Sequence, residues 1–136
     1  MGHVVVSYSS RDKEQVDLIV QAITSSGIPV WVDRADITPD KAWRAQIVRA
    51  IDTGDAFIPI LSPNSITSDH VRREIDLALD SSRPIFPVVL EPVKLPRELR
   101  YHLTGLQSID VHQLGFQESL RQLLSALNEQ WLNKGG

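Results

Sequence analysis

The chain has 136 residues, enough for one compact domain, and its 42% apolar and 23% charged residues are an ordinary globular composition. A net charge of −3 without any Lys/Arg block argues against a nucleic-acid partner. The absence of cysteine excludes disulfides, thiolate metal sites and a cysteine nucleophile. No apolar run approaches the roughly 18 residues of a membrane span and no signal-peptide pattern opens the chain, so a cytoplasmic protein with no membrane partner is expected.

Residues 3–8 (HVVVSY) read as a buried strand ending in hydroxyls. A helix is predicted over 12–25, with Val16, Ile19, Val20 and Ile23 at i, i+3, i+4, i+7 and Gly27 as its stop. Residues 28–32 (IPVWV) form a second strand closed by Asp33. A helix over 40–53 follows, with Trp43, Ile47, Ala50 and Ile51 on one face. Residues 56–61 (AFIPIL) make a third strand, and Ser68 is placed to cap a third helix. A fourth strand is predicted over 84–90 (PIFPVVL), an internal loop over 90–96, a short helix over 96–103 and a weak fifth strand over 106–111. A closing helix spans 116–132, with Leu120, Leu123, Leu124 and Leu127 in phase. Residues 1–132 thus read as one domain, and 133–136 as a tail that is either a cloning remnant or the start of a linker.

Strands alternating with helices, and strands apolar on both faces, predict an α/β fold with a parallel sheet covered on both sides. Five strands at this length predict a flavodoxin-like three-layer fold of strand order 2-1-3-4-5. In such sheets a ligand binds beyond the C-terminal strand ends where strand order reverses, here between strands one and three. The segment after strand three delivers the helix SDHVRREIDLAL. At about 100° per residue, Val71, Ile75, Ala78 and Leu79 share its apolar arc, and Arg72, Arg73, Asp76 and Asp80 face away. Glu74 projects on the apolar side with His70 one turn behind it. Helical phase and topology therefore meet on one carboxylate. Two structural readings compete: a boundary residue whose stem packs while its head reaches water, and half of an ion pair with His70 or a neighbouring arginine.

Other chemistries lack their motifs. Neither G-x-x-x-x-G-K-[ST] nor G-x-G-x-x-G occurs, so phosphate-cradling loops of those types are excluded, as is a G-x-S-x-G nucleophile elbow. The histidines at 3, 70, 102 and 112 have no metal-ligand spacing. A receiver domain shares the fold but needs an acceptor aspartate after strand three, where this chain has Leu61-Ser62-Pro63.

Three stretches together resemble a TIR (Toll/interleukin-1 receptor) domain: VVVSYSSRD, GIPVWVDRADITPDKAWRAQIVRAID and AFIPILSPNSITSDHVRREIDLAL. They carry the Ser-Tyr-Ser strand end with an aspartate soon after, the aromatic-x-Asp of Trp31 and Asp33, Ile37-x-Pro39, Leu61-Ser62 with a second serine, and the helix glutamate. Asp40 stands where the family usually has glycine, His70 where it often has tryptophan, and Val71 where cysteine is common; the late Phe-Trp box is absent.

The resemblance implies one of two activities. Many TIR domains, bacterial ones among them, cleave NAD⁺ to nicotinamide and ADP-ribose or a cyclic ADP-ribose isomer in defence signalling; others are non-catalytic scaffolds that pair with further TIR domains. The first is expected here, with Glu74 catalytic, NAD⁺ as substrate, no cofactor, and self-association. By the same resemblance Tyr8, Ser9, Ser10, Arg11, Asp33, Trp43 and His70 line the nucleotide cleft. Against that, Ser10 and Asp12 fit as helix caps, Trp43 shares a packing phase with Ile47, and Asp36 fits a solvated turn. His70 and Arg11 are the candidate cations beside Glu74.

Overall fold

The computed structural model describes residues 2–32 and 41–133, with the side chains of 41–43 and 131–133 outside that description. The chain runs β1 (Val4–Ser7), a 3₁₀ turn (Ser10–Asp12), α1 (Lys13–Ser25), β2 (Val30–Val32), α2 (Lys41–Thr53), β3 (Ala56–Leu61) and α3 (Asp69–Asp80). It continues through β4 (Val88–Val89), α4 (Arg97–Leu103), β5 (Ile109–Asp110), α5 (Val111–Leu114) and α6 (Phe116–Asn133). The strands form one parallel sheet in the order β2-β1-β3-β4-β5, the flavodoxin-like arrangement. Val4 to Val6 lie opposite Val30 to Val32 on one side and Ala56 to Ile58 on the other.

Alternation along the two central strands sorts the core into two layers. Val4, Val6, Tyr8, Ala56, Ile58 and Ile60 face one way and pack with Val16, Ile19 and Ile23 of α1 and Leu123 and Leu127 of α6. Val5, Phe57 and Leu61 face the other way, toward Ile47 and Ile51 of α2, Val71, Ile75 and Ala78 of α3, and Leu99 and Leu103 of α4. The apolar arc predicted for α3 is therefore the one that is buried, while Arg73, Asp76 and Asp80 are exposed.

The fourth strand is shorter than the sequence predicts, and a proline of β3 explains why. Phe57 donates its N–H to Pro84 O and accepts from Phe86 N, so alternate residues of β3 face β4. Pro59, two residues on, faces the same neighbour with no N–H to donate. The ladder splits into an isolated Phe57–Ile85 bridge and the two-residue strand at Val88–Val89. The fifth strand is likewise cut to Ile109–Asp110. Asp110 caps α5, a helix not anticipated, by accepting from Gln113 N at 3.2 Å.

Gly27 ends α1 with φ +90, and its N–H reaches Thr24 O at 3.0 Å. Nothing lies within 4 Å of a Cβ built there. Gly27→Ala is therefore a test of backbone strain without a clash. Urea unfolding should show a loss of about 1–2 kcal/mol, the cost of holding an L-residue in left-handed backbone.

Candidate functional site

β1 begins apolar on both faces, and its first polar residue is Ser7. Counting in twos from Val5, Ser7 points to the α2–α3 layer, and it is fully buried. α3 starts from Ser68, whose Oγ accepts from Val71 N at 3.4 Å. Glu74 then falls in phase with Val71, Ile75 and Ala78 and turns inward against the end of β1. It is 3% exposed. The Ser7 hydroxyl donates to Glu74 Oε1 at 2.5 Å, joining the strand end to the helix. The boundary reading, with the carboxylate head in water, does not describe this side chain.

A second polar cluster lies along the same rim. Asp12 occupies the N-cap position of α1, yet its carboxylate makes no bond to that helix's N–H groups. Instead Oδ2 accepts from the Ser62 hydroxyl at 2.5 Å and Oδ1 from Asn64 Nδ2 at 2.9 Å. Ser62 and Ser65 are both buried. Ser62 Oγ accepts from Asn64 N and Ser65 N, and Ser65 Oγ accepts from Ser62 N at 2.9 Å. The loops after β1 and β3 are thereby tied across the point where strand order reverses.

These contacts qualify the expected cap at Asp12: the position is as expected, the side-chain bond is not. Ser9 caps the 3₁₀ turn, its Oγ accepting from Arg11 N at 3.3 Å, and Ser10 is exposed. Asp12 holds the expected N-cap position of α1, but its side chain is turned to Ser62 and Asn64. Tyr8 is buried in the layer of α1 and α6, on the face opposite Glu74, as strand alternation requires. Ser9 is half-buried and Arg11 exposed in the β1–α1 loop; His70 is half-buried in the first turn of α3. Asp33, Asp36 and the side chain of Trp43 lie outside the described residues. Ser7, which holds Glu74 by a hydrogen bond, is a partner that sequence reading passes over. The signal that finds it is the period-two phase shared with Val5. The cluster of Asp12, Ser62, Asn64 and Ser65 is passed over as well, and only their meeting in space marks them.

Among the described residues no group of His, Asp and Glu is arranged to hold a metal ion, and no helix is long and apolar enough to cross a membrane.

No curated protein matches the chain. Solved structures do. The TIR domain of the Toll-related receptor TRR-2 from Hydra magnipapillata aligns with a TM-score of 0.69 at 22% identity, over 90% of this chain and 98% of that one. The CMP N-glycosidase BcmB of Clostridium botulinum aligns with a TM-score of 0.62 at 20% identity, covering 88% and 97%. The RPS4 and RRS1 TIR domain heterodimer gives 0.69 at 16% identity, covering 94% and 96%. At these identities the likeness speaks for the fold alone. The family model for TIR domains matches residues 4–124, from the first residue of β1 into α6, and so takes in both central strands, Ser7, Asp12 and the Glu74 helix. With nearly all of its described elements inside that match, the chain belongs to the TIR domain family.

Proposed function

We propose that this TIR domain is an NAD⁺ nucleosidase in which Glu74 stabilises the transition state for loss of nicotinamide. The observation carrying this reading is the placement of Glu74, a buried carboxylate held by the Ser7 hydroxyl at the C-terminal rim of the sheet. That rim is where a doubly wound sheet presents its ligand crevice.

The chemistry suits one carboxylate. The ribose C1′–N bond breaks heterolytically, and its electron pair neutralises the pyridinium as nicotinamide leaves. Positive charge spreads over C1′ and the ring oxygen, as in glycoside hydrolysis. A fixed anion beside that sugar favours the charged transition state over the ground state. The leaving group departs neutral, so no general acid is required. Water then adds to C1′ and loses a proton, giving ADP-ribose; a nucleophile within the same molecule would give a cyclic isomer. Ser7 holds Oε1 at a fixed rotamer, so less reorganisation is needed as charge develops. NAD⁺ is a substrate here and no cofactor enters.

A TIR fold paired with another TIR domain, as in the RPS4–RRS1 heterodimer, also supports self-association of this chain. The test is direct. Concentrated protein is incubated with NAD⁺ and, separately, with CMP, the nucleotide named for the Clostridium botulinum neighbour. Nicotinamide release from NAD⁺ is expected, with a Glu74→Gln chain as the control against contaminating hydrolase. Release of cytosine alone would overturn the substrate assignment. No release from either, in dilute or concentrated protein, would overturn the reaction and leave a pairing scaffold.

A further inference from the structure

We infer that Asp12 is a positioning residue for Glu74: its carboxylate latches the β3–α3 loop to the β1–α1 loop and so sets where α3 presents its carboxylate to the end of β1. The inference rests on the proposed reaction for its kinetic consequence, but its geometry stands independently.

The latch has an unusual reach. Asp12 is fifty residues from Ser62 in sequence and takes a hydrogen bond on each oxygen, from Ser62 Oγ and Asn64 Nδ2. A carboxylate at an N-cap position would ordinarily be used by its own helix. This one is not: Asp12 gives α1 no side-chain cap bond, and the two loops gain a tie.

From the latch a hydrogen-bonded series leads to α3 at a spacing of three residues. Ser62 O accepts from Ser65 N at 3.2 Å and from Ile66 N at 3.1 Å. Ser65 O accepts from Ser68 N at 3.0 Å. Ser68 Oγ accepts from Val71 N, and Ser68 O accepts from Arg72 N at 3.2 Å. Glu74 lies three residues beyond Val71. Ser7, which receives Glu74, is only five residues before Asp12. Both halves of the Ser7–Glu74 pair thus hang from elements that Asp12 joins. Release of the latch frees the first turn of the loop and lets the start of α3 shift against β1. A misplacement of about 1 Å at a reacting group costs on the order of 100-fold in rate.

Donor and acceptor counting supplies the variants. Asp12→Asn preserves the latch if the Asn64 amide turns over, because the introduced amide still accepts from Ser62 through its oxygen and donates to Asn64 through its nitrogen. Asn64→Asp alone sets two carboxylates against each other and breaks it. The exchange Asp12→Asn with Asn64→Asp restores an amide facing a carboxylate. Nicotinamide release is measured well below each variant's melting temperature and normalised to folded protein. Asn64→Asp should lower kcat roughly 10- to 100-fold with KM little changed, and the double exchange should recover most of it. Amide hydrogen exchange at Ile66, Ser68, Val71 and Arg72 should quicken in Asn64→Asp and slow again in the double exchange. Wild-type kcat in Asn64→Asp, or no recovery in the exchanged pair, overturns the inference. Should the wild type itself release no nicotinamide, the proposed reaction fails, and hydrogen exchange alone decides the latch. Unchanged exchange in Asn64→Asp then overturns it.

Discussion

Glu74→Gln should lower kcat for nicotinamide release by about 10²–10³-fold while leaving the domain folded. The amide has the shape of the carboxylate, and its Oε1 can still accept the Ser7 hydroxyl, so the packing around Val71, Ile75 and Ala78 is kept. What is lost is the negative charge. In the ground state the ribose is neutral and gains little from that charge; in the transition state it carries the cation and gains much. The loss therefore appears in kcat, with KM nearly unchanged. Shape and the Ser7 hydrogen bond are kept, so the glutamine chain should melt within a few degrees of the wild type. Steady-state kinetics beside thermal unfolding reads both quantities. A glutamine chain with wild-type kcat would move the chemistry to another residue. Glu74→Ala is the contrasting variant: it strands the buried Ser7 hydroxyl and leaves a void, and should cost about 1–3 kcal/mol of stability as well as activity.

The residues that sequence reading places well share one property, a signal confined to a single element. Helical phase alone puts Glu74 on the buried arc of α3, and β3 is bounded as its apolar run predicts. The strand order follows from the alternation of elements and the handedness of crossovers. What sequence reading misses depends on two elements at once. Ser7 looks like the frayed end of a strand until α3 is laid over the α2–α3 face of the sheet. Asp12 satisfies every local rule for a cap, and only the arrival of Ser62 and Asn64 from fifty residues away outbids that use. Strand alternation assigns Tyr8 to the layer of α1 and α6, where it is found. The short fourth strand is a subtler case. Residues 84–90 have the right composition, but the missing N–H of Pro59 falls where β3 must donate to β4. That coincidence depends on register, which no single strand encodes.

Phe57→Ala should produce the reverse phenotype, a large loss of stability with a small effect on kcat. Phe57 is 1% exposed at the centre of the sheet and belongs to the layer formed by α2, α3 and α4. Removing its ring takes buried apolar area and leaves a cavity that rigid neighbours close only partly, at about 3–5 kcal/mol. In a domain of this length each kcal/mol is worth about 3–4 °C, so the melting temperature should fall by roughly 10–20 °C. The backbone of Phe57 supplies the bonds to Pro84 O and Phe86 N, and these survive the substitution. The sheet should therefore keep its order, and the urea m-value should stay near that of the wild type. Leu18→Ala is the matched control: Leu18 is 53% exposed on α1, and its loss should cost no more than about 0.5 kcal/mol. Ser7 pairs with Pro59, two residues beyond Phe57 toward the strand ends, and the Asp12 latch lies further on, after β3. Below its lowered melting temperature, folded Phe57→Ala should consequently turn over NAD⁺ within a few-fold of wild type, whereas folded Glu74→Gln should not. If the two variants lost activity in proportion to stability, the rim would be part of the general packing and the assignment of chemistry to Glu74 would fail.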